Sequence, residues 1–160
     1  MNIMIFAVGR MKKGPEQALA EHYFARFLQV APSLGWRFGG LYETPESRAA
    51  TAFLRIADEG QKLLKALPER GKLILLDEKG KSLTSPAFAK YLAQYCDEGT
   101  RHLTIVVGGA DGHGDAMRQR ADMVLSLGAM TWPHQIARIL LAEQLYRAAT
   151  ILTAHPYHRS

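Results

Sequence analysis

HLTIVVGGADGHGDAMRQRADMVLSLGAMTWPH, residues 102–134, is the stretch around which the rest of the chain is organised. It opens with an apolar strand, Leu103–Val107, that runs into a glycine loop, Gly108–Gly114. A short helix follows, then a second strand, Val124–Leu127, and a second small-residue loop, Gly128–Pro133, which leads into the last helix. Two strand ends, each followed by such a loop, place two loops side by side at one edge of a sheet. Ligands of open α/β sheets sit in crevices of that kind, beyond the carboxyl ends of the strands. Gly108, Gly109, Gly112 and Gly128 remove side chains where a ligand or another backbone comes close, although tight turns alone would also use them.

Outward from that centre, Asn2–Val8 and Lys72–Leu76 are continuous apolar runs, as expected of parallel strands covered on both faces. Trp36–Tyr42 is a less regular strand. Pro15 suits the first turn of a helix reaching Val30, after a basic loop from Gly9 to Gly14 that carries Arg10, Lys12 and Lys13. Thr44-Pro45 reads as the cap of a long helix ending near Leu67. Ser85-Pro86 reads as the cap of another ending near Asp97, and the residues between Asp77 and that cap read as a loop. Strands alternating with helices predict an α/β fold, a largely parallel sheet with helices on both faces. The 160 residues suit a single domain with a substantial core.

The last helix, residues 135–152, has two apolar flanks. Ala137, Leu141, Leu145, Ala148 and Leu152 form one; Ile139, Ala142, Tyr146 and Ala149 form the other. Glu143 and Arg147, four apart, share the polar stripe between them and read as a structural ion pair. Two flanks predict two bodies to cover, the chain's own sheet and a second subunit, although a helix inside one large core has the same pattern.

Composition narrows the classes. With 48% hydrophobic and 22% charged residues the chain is ordinary for a soluble globular protein. No apolar run approaches the roughly 20 residues that span a bilayer. Met1–Val8 lacks a basic region before it and a cleavage site after it, and reads as a strand rather than a leader. Cys96 is the only cysteine, which excludes an internal disulfide and a thiolate metal cluster and points to a reducing cytoplasm. A net charge of +5 favours an anionic partner without identifying it. GGADGHG does not satisfy G-x-G-x-x-G, and no P-loop lysine follows it. His155 and His158 have no third ligand near them in sequence, so no metal centre is expected.

Several motifs together resemble the RlmH family: LLDEKGK (75–81), VVGGADG (106–112), SLGAMTWPH (126–134), Glu143 with Tyr146-Arg147, and HPYHR (155–159). That family comprises small SPOUT-class methyltransferases of large-subunit ribosomal RNA. The resemblance spans the chain and implies a C-terminal trefoil knot, a homodimer, and S-adenosylmethionine as cofactor. It implies cofactor contacts at Leu76, Gly109, Gly128, Ala129, Met130, Thr131, Trp132 and Pro133. Loop backbone groups there suit adenine, and Leu76, Met130 and Trp132 supply apolar walls. Ala110-Asp111 stands where the family commonly has Pro-Glu, and Asp111 keeps the charge.

The tail has two readings. A frayed terminus is the usual fate of last residues. Two imidazoles, a phenol and a guanidinium in five residues also suit stacking on bases, donation to phosphates and proton movement. With the resemblance, His155, Tyr157 and Arg159 are expected to contact RNA. His158 is expected to assist loss of the imide proton from N3 of a pseudouridine. The RNA is that of the large ribosomal subunit, free or in the assembled ribosome. Each site is expected to join the Gly128–Pro133 loop of one chain to the tail of the other. Two alternatives stay open: a non-catalytic RNA-binding module using the basic loops, and a related methyltransferase acting on another RNA.

Overall fold

The apolar run of the first strand, β1 (Asn2–Val8), has work on both sides. Ile3, Ile5 and Ala7 join the larger core, while Phe6 and Val8 join a smaller one on the opposite face. The computed structural model describes residues 1–158 and places β1 second in a five-stranded sheet. The other strands are β2 (Arg37–Thr44), β3 (Lys72–Ser82), β4 (His102–Val107) and β5 (Met123–Ser126). Their order is β2-β1-β4-β3-β5, and every neighbouring pair is parallel. Helices α1 (Pro15–Val30), α3 (Ser85–Asp97) and α5 (His134–Leu152) cover the larger core; α2 (Ala52–Ala66) and α4 (Asp115–Arg120) cover the other face. The predicted α/β architecture is therefore the observed one. Among the described residues, no helix is long and apolar enough to cross a membrane.

Three boundaries differ from expectation. Thr44 caps no helix, because its backbone belongs to β2: it pairs with Val8, and its carbonyl accepts from Gly9 N at 2.7 Å. The helix starts seven residues later at Ala52, where Thr51 Oγ1 accepts from Leu54 N at 3.2 Å. For α3 the cap is Thr84, which accepts from Ala87 N at 3.3 Å, so Ser85-Pro86 already lie in the first turn. The third difference matters most. Instead of ending at Asp77, β3 bulges after Leu76 and returns to the sheet, with Lys81 and Ser82 paired to Leu125 and Ser126.

Gly80 makes that return achievable. A Cβ there would lie 2.7 Å from the carbonyl carbon of Leu125 and 2.8 Å from its nitrogen. Main-chain atoms of a buried strand cannot swing aside as a flexible side chain would.

The two flanks of α5 are both accounted for within one chain. Leu141, Leu145 and Ala148 are buried, and so are Ile139, Ala142, Tyr146 and Ala149. The helix lies between α1 and α3 against the sheet and packs on both. The reading of one flank as an interface is thereby corrected. What stays half-exposed is a narrower stripe that includes Ile136, Leu140, Gln144, Arg147 and Ile151.

Gly80→Ala is expected to lower stability by about 1–3 kcal/mol, the usual range for overpacking. Urea unfolding followed by circular dichroism measures it. An unchanged midpoint would mean that β3 does not cross β5 this closely.

Candidate active site

The carboxyl ends of β4, β3 and β5 stand side by side. From β3 the chain leaves to α3 on one face, and from β4 to α4 on the other. The diverging loops open a crevice, as parallel sheets do wherever successive connections change face. The cleft there measures about 700 Å³, within the range of small-molecule sites. Leu76, Gly109, Gly128, Met130, Thr131, Trp132 and Pro133 all line it. Of the residues expected at the cofactor, only Ala129 is off the wall; it is exposed between two that are on it.

The loop after β4 is held from below. Gly112 N donates to Gly109 O at 3.1 Å, with Gly112 at a φ of 77° that favours glycine. Asp111 takes a two-point contact from Arg55 of α2, Nε at 2.6 Å and Nη2 at 3.0 Å. Those hydrogen bonds hold the Asp111 carboxyl below its ordinary pKa. The acidic group of this loop is thus engaged in anchoring. Gly109 also differs from expectation. A Cβ there would meet Val8 Cγ1 at 2.9 Å and Glu59 Oε2 at 3.3 Å, both on the protein side. The missing side chain lets the loop lie down on β1, and a valine would lift it.

His113, which no sequence signal singled out beyond its place in a glycine run, lies beneath this loop. Its Nε2 is 2.9 Å from Leu76 O, at the strand end. A carbonyl can only accept, so Nε2 carries the proton. Burial pushes the imidazole pKa below 6.5, outweighing the support of the Leu76 carbonyl and Asp77 for the charged form. The neutral ring fixes the carboxyl end of β3 against the glycine loop. Beside it, burial works against the charge of Asp77. Arg118 (Nη2 at 2.6 Å) and the Lys79 amide (2.9 Å) more than offset this, and the Asp77 pKa falls below the usual value.

The loop after β5 is tied at both ends. Ser126 Oγ accepts from Gly128 N at 3.1 Å and donates to Gly128 O at 2.9 Å. Thr131 Oγ1 donates to Glu78 Oε2 at 3.0 Å, joining it to the bulge of β3. Met130 and Trp132 are left 73% and 43% exposed at the rim, which gives the cleft apolar edges available to a ligand.

The tail is ordered on its own chain but away from this cleft. Tyr157 packs against Tyr146 with ring centroids 4.6 Å apart and planes tilted by 50°, and its hydroxyl donates to Glu143 Oε1 at 3.0 Å. The guanidinium groups of Arg147 and Arg26 lie 4.9 and 5.4 Å from its ring. Burial and the Glu143 carboxylate both push its phenol pKa up. Glu143 also pairs with Arg147 at 2.6 Å, so the expected ion pair exists. His155 N donates to Thr150 O at 2.9 Å, and His158 Nδ1 is buried without a partner among the described residues. Arg159 lies outside the described residues. At about 1.5 Å per residue, the 19 residues of α5 separate the cleft from the tail's root by about 28 Å. Tyr157 folds back only to Glu143, still about 14 Å along the helix from His134. None of the described tail residues lines the cleft.

A family model described as a predicted SPOUT methyltransferase matches residues 1–158. The chain belongs to that family of methyltransferases. It is 59% identical over 160 residues, all of both chains, to the ribosomal RNA large subunit methyltransferase H of Brucella anthropi. It is 57% identical to the protein of the same name from Bartonella henselae, over 99% of each. Among solved structures it is similar to the SpoU methyltransferase AviRb of Streptomyces viridochromogenes in complex with AdoMet. That likeness has 11% identity and a TM-score of 0.41, and it covers 96% of this chain and 61% of the other.

The neutral His113 gives the fold a pH dependence of known sign. Its folded pKa lies below the unfolded 6.5, so its contribution is complete above 6.5 and is lost as pH falls through the lower folded value. Urea midpoints between pH 7.5 and 5 should fall more steeply for the natural chain than for His113→Gln. Equal slopes would mean that His113 is not buried neutral.

Proposed function

We propose that the chain transfers the methyl group of S-adenosylmethionine to N3 of a pseudouridine, position 1915, in 23S ribosomal RNA. On this reading it works as a homodimer in the cytoplasm, with a C-terminal trefoil knot. The observation that carries the reading is the cleft. In a chain of the SPOUT family, residues from β3, the Gly108–Gly112 loop and the Gly128–Pro133 loop converge on one space of about 700 Å³. The identity to relatives named for large-subunit ribosomal RNA supports the substrate class.

The cleft fits the cofactor by its chemistry. Leu76, Met130 and Trp132 offer apolar surface, and two loops offer backbone donors and acceptors for a purine edge. The bound cofactor supplies a methyl group already activated by the sulfonium. The chain's own residues then align the acceptor nitrogen, exclude water and take the imide proton. His158 is the group proposed for that proton, with His155, Tyr157 and Arg159 on the RNA. Because none of the described tail residues lines its own cleft, and Tyr157 reaches back along α5 only to Glu143, these roles call for the cleft of a second chain. The half-exposed stripe through Leu140 and Ile151 is the surface offered to it.

Two disabled chains test this. Truncation after Ala154 should leave cofactor affinity intact, measured by calorimetry, and abolish methyl transfer. Gly128→Val alters a loop position at φ 129°, where a branched side chain is strained, and should abolish cofactor binding. Mixed dimers should regain one working site, read by mass mapping of 23S RNA from cells lacking this chain. With subunit exchange demonstrated, no return of activity would mean that the tail serves its own chain. Methyl found on another nucleotide would assign the enzyme to a different RNA position.

A further inference from the structure

A second groove, of about 560 Å³, opens at the carboxyl ends of β1 and β2. Arg10 and Lys12 line it from the loop after β1, and Glu46 and Arg48 from the segment after β2. His134 lines both this groove and the cleft at β3, β4 and β5, so the two spaces adjoin at the start of α5. Arg10, Lys12 and Arg48 are exposed, and none forms an ion pair among the described residues. Glu46 is the acidic side chain on the wall, and the cations outnumber it.

The loop presenting two of these cations is held from behind by an unusual device. Arg138 is fully buried, and its Nη2 donates to Val8 O and Gly9 O, each at 2.6 Å. Its Nη1 donates to Glu43 Oε1 at 2.6 Å, and the same oxygen accepts from Met11 N at 2.8 Å. Gly9 then turns at a φ of 83°. The backbone at residues 8, 9 and 11 is thus tied into the core, while Arg10 and Lys12 are directed to solvent. Cations held on a fixed backbone lose less freedom on meeting a phosphate than cations on a mobile arm.

We infer that this groove binds the phosphate backbone of the RNA on one side of the target nucleotide, within the same chain whose cleft holds the methyl donor. The inference rests on the RNA methyltransferase reading above and extends it. The target base enters past His134 from the basic groove, while the tail of the other chain closes on it from the opposite side. One nucleotide is thereby gripped by its backbone from one chain and by its base from two.

The test compares Arg10→Ala/Lys12→Ala/Arg48→Ala with Arg70→Ala/Arg101→Ala, a control at the amino end of the sheet. The probe is 23S ribosomal RNA from cells lacking this chain, titrated across salt concentrations. Each phosphate contact contributes about 0.7 to 0.9 to the log–log slope, so the triple variant should lose about 2 units of slope. KM for the RNA should rise about tenfold or more, with cofactor affinity by calorimetry unchanged. The control pair should do neither. A slope within about half a unit of the natural chain's together with a KM within about twofold, or an equal effect in the control, overturns the groove. If the natural chain binds RNA but transfers no methyl group, the activity reading fails, and the salt slope still decides the groove.

Discussion

The buried guanidinium of Arg138 is the interaction on which the functional edge of the sheet depends. It lies in the second turn of α5, yet the groups that accept its hydrogen bonds belong to β1, β2 or the loop between β1 and α1, and its Nε has no partner among the described residues. Desolvating an arginine and its carboxylate costs several kcal/mol per ion, and hydrophobic replacements are often no less stable. Its value is therefore positional. A hydrophobic side chain would fill the space without holding two carbonyls and a carboxylate at fixed points. Through Arg138, the start of α5 is placed relative to the end of β1, and that in turn sets the Gly128–Pro133 loop relative to the Arg10 loop. Burial draws the guanidinium's pKa down while Glu43 opposes it, and arginine stays charged across the working range.

The same logic of fixed backbone governs the cleft. His113, Asp77, Thr131 and Arg55 form no wall of apolar contacts; each ties one loop to a neighbouring strand or helix. A methyl donor brings its own electrophile, so little is asked of the protein beyond alignment and a proton acceptor. Loops anchored at several points suit that task better than mobile ones. The exposed Met130 and Trp132 are the exception, apolar groups left at the rim where a planar ligand or an incoming base can cover them.

The sheet and its cleft were legible because their signals are local. Continuous apolar runs marked β1, β3 and β4 as parallel strands, and small-residue loops marked their carboxyl ends. Failures came wherever a tertiary partner decided the matter. Thr44-Pro45 has the form of a helix cap, but pairing with Val8 claims the threonine for β2. The stretch around Gly80 reads as a loop, whereas it pairs back into the sheet and the backbone of Leu125 excludes a side chain at Gly80. Gly109 lines the cleft, and Val8 beneath it is a further reason for the missing side chain. The flanks of α5 implied two bodies, and the second is α1 and α3 of the same chain. Arg138 and His113 carried no signal, because a charged residue in a helix and a histidine among glycines ordinarily face solvent.

Sheet polarity gives the proposed dimer a physical reason. Parallel strands put all their ligand-facing loops at one edge, and here that edge holds both the cleft and the basic groove. The chain then ends by running α5 back toward the other edge, which carries the imidazoles and phenol of the tail away from the chemistry. No local rearrangement undoes a displacement of a 19-residue helix packed on three sides. The proposed two-fold axis across the α5 stripe does, because it sets the tail end of one helix beside the cleft end of its mate, twice over. In the dimer proposed above, the tail of one chain therefore serves the methyl donor bound by the other.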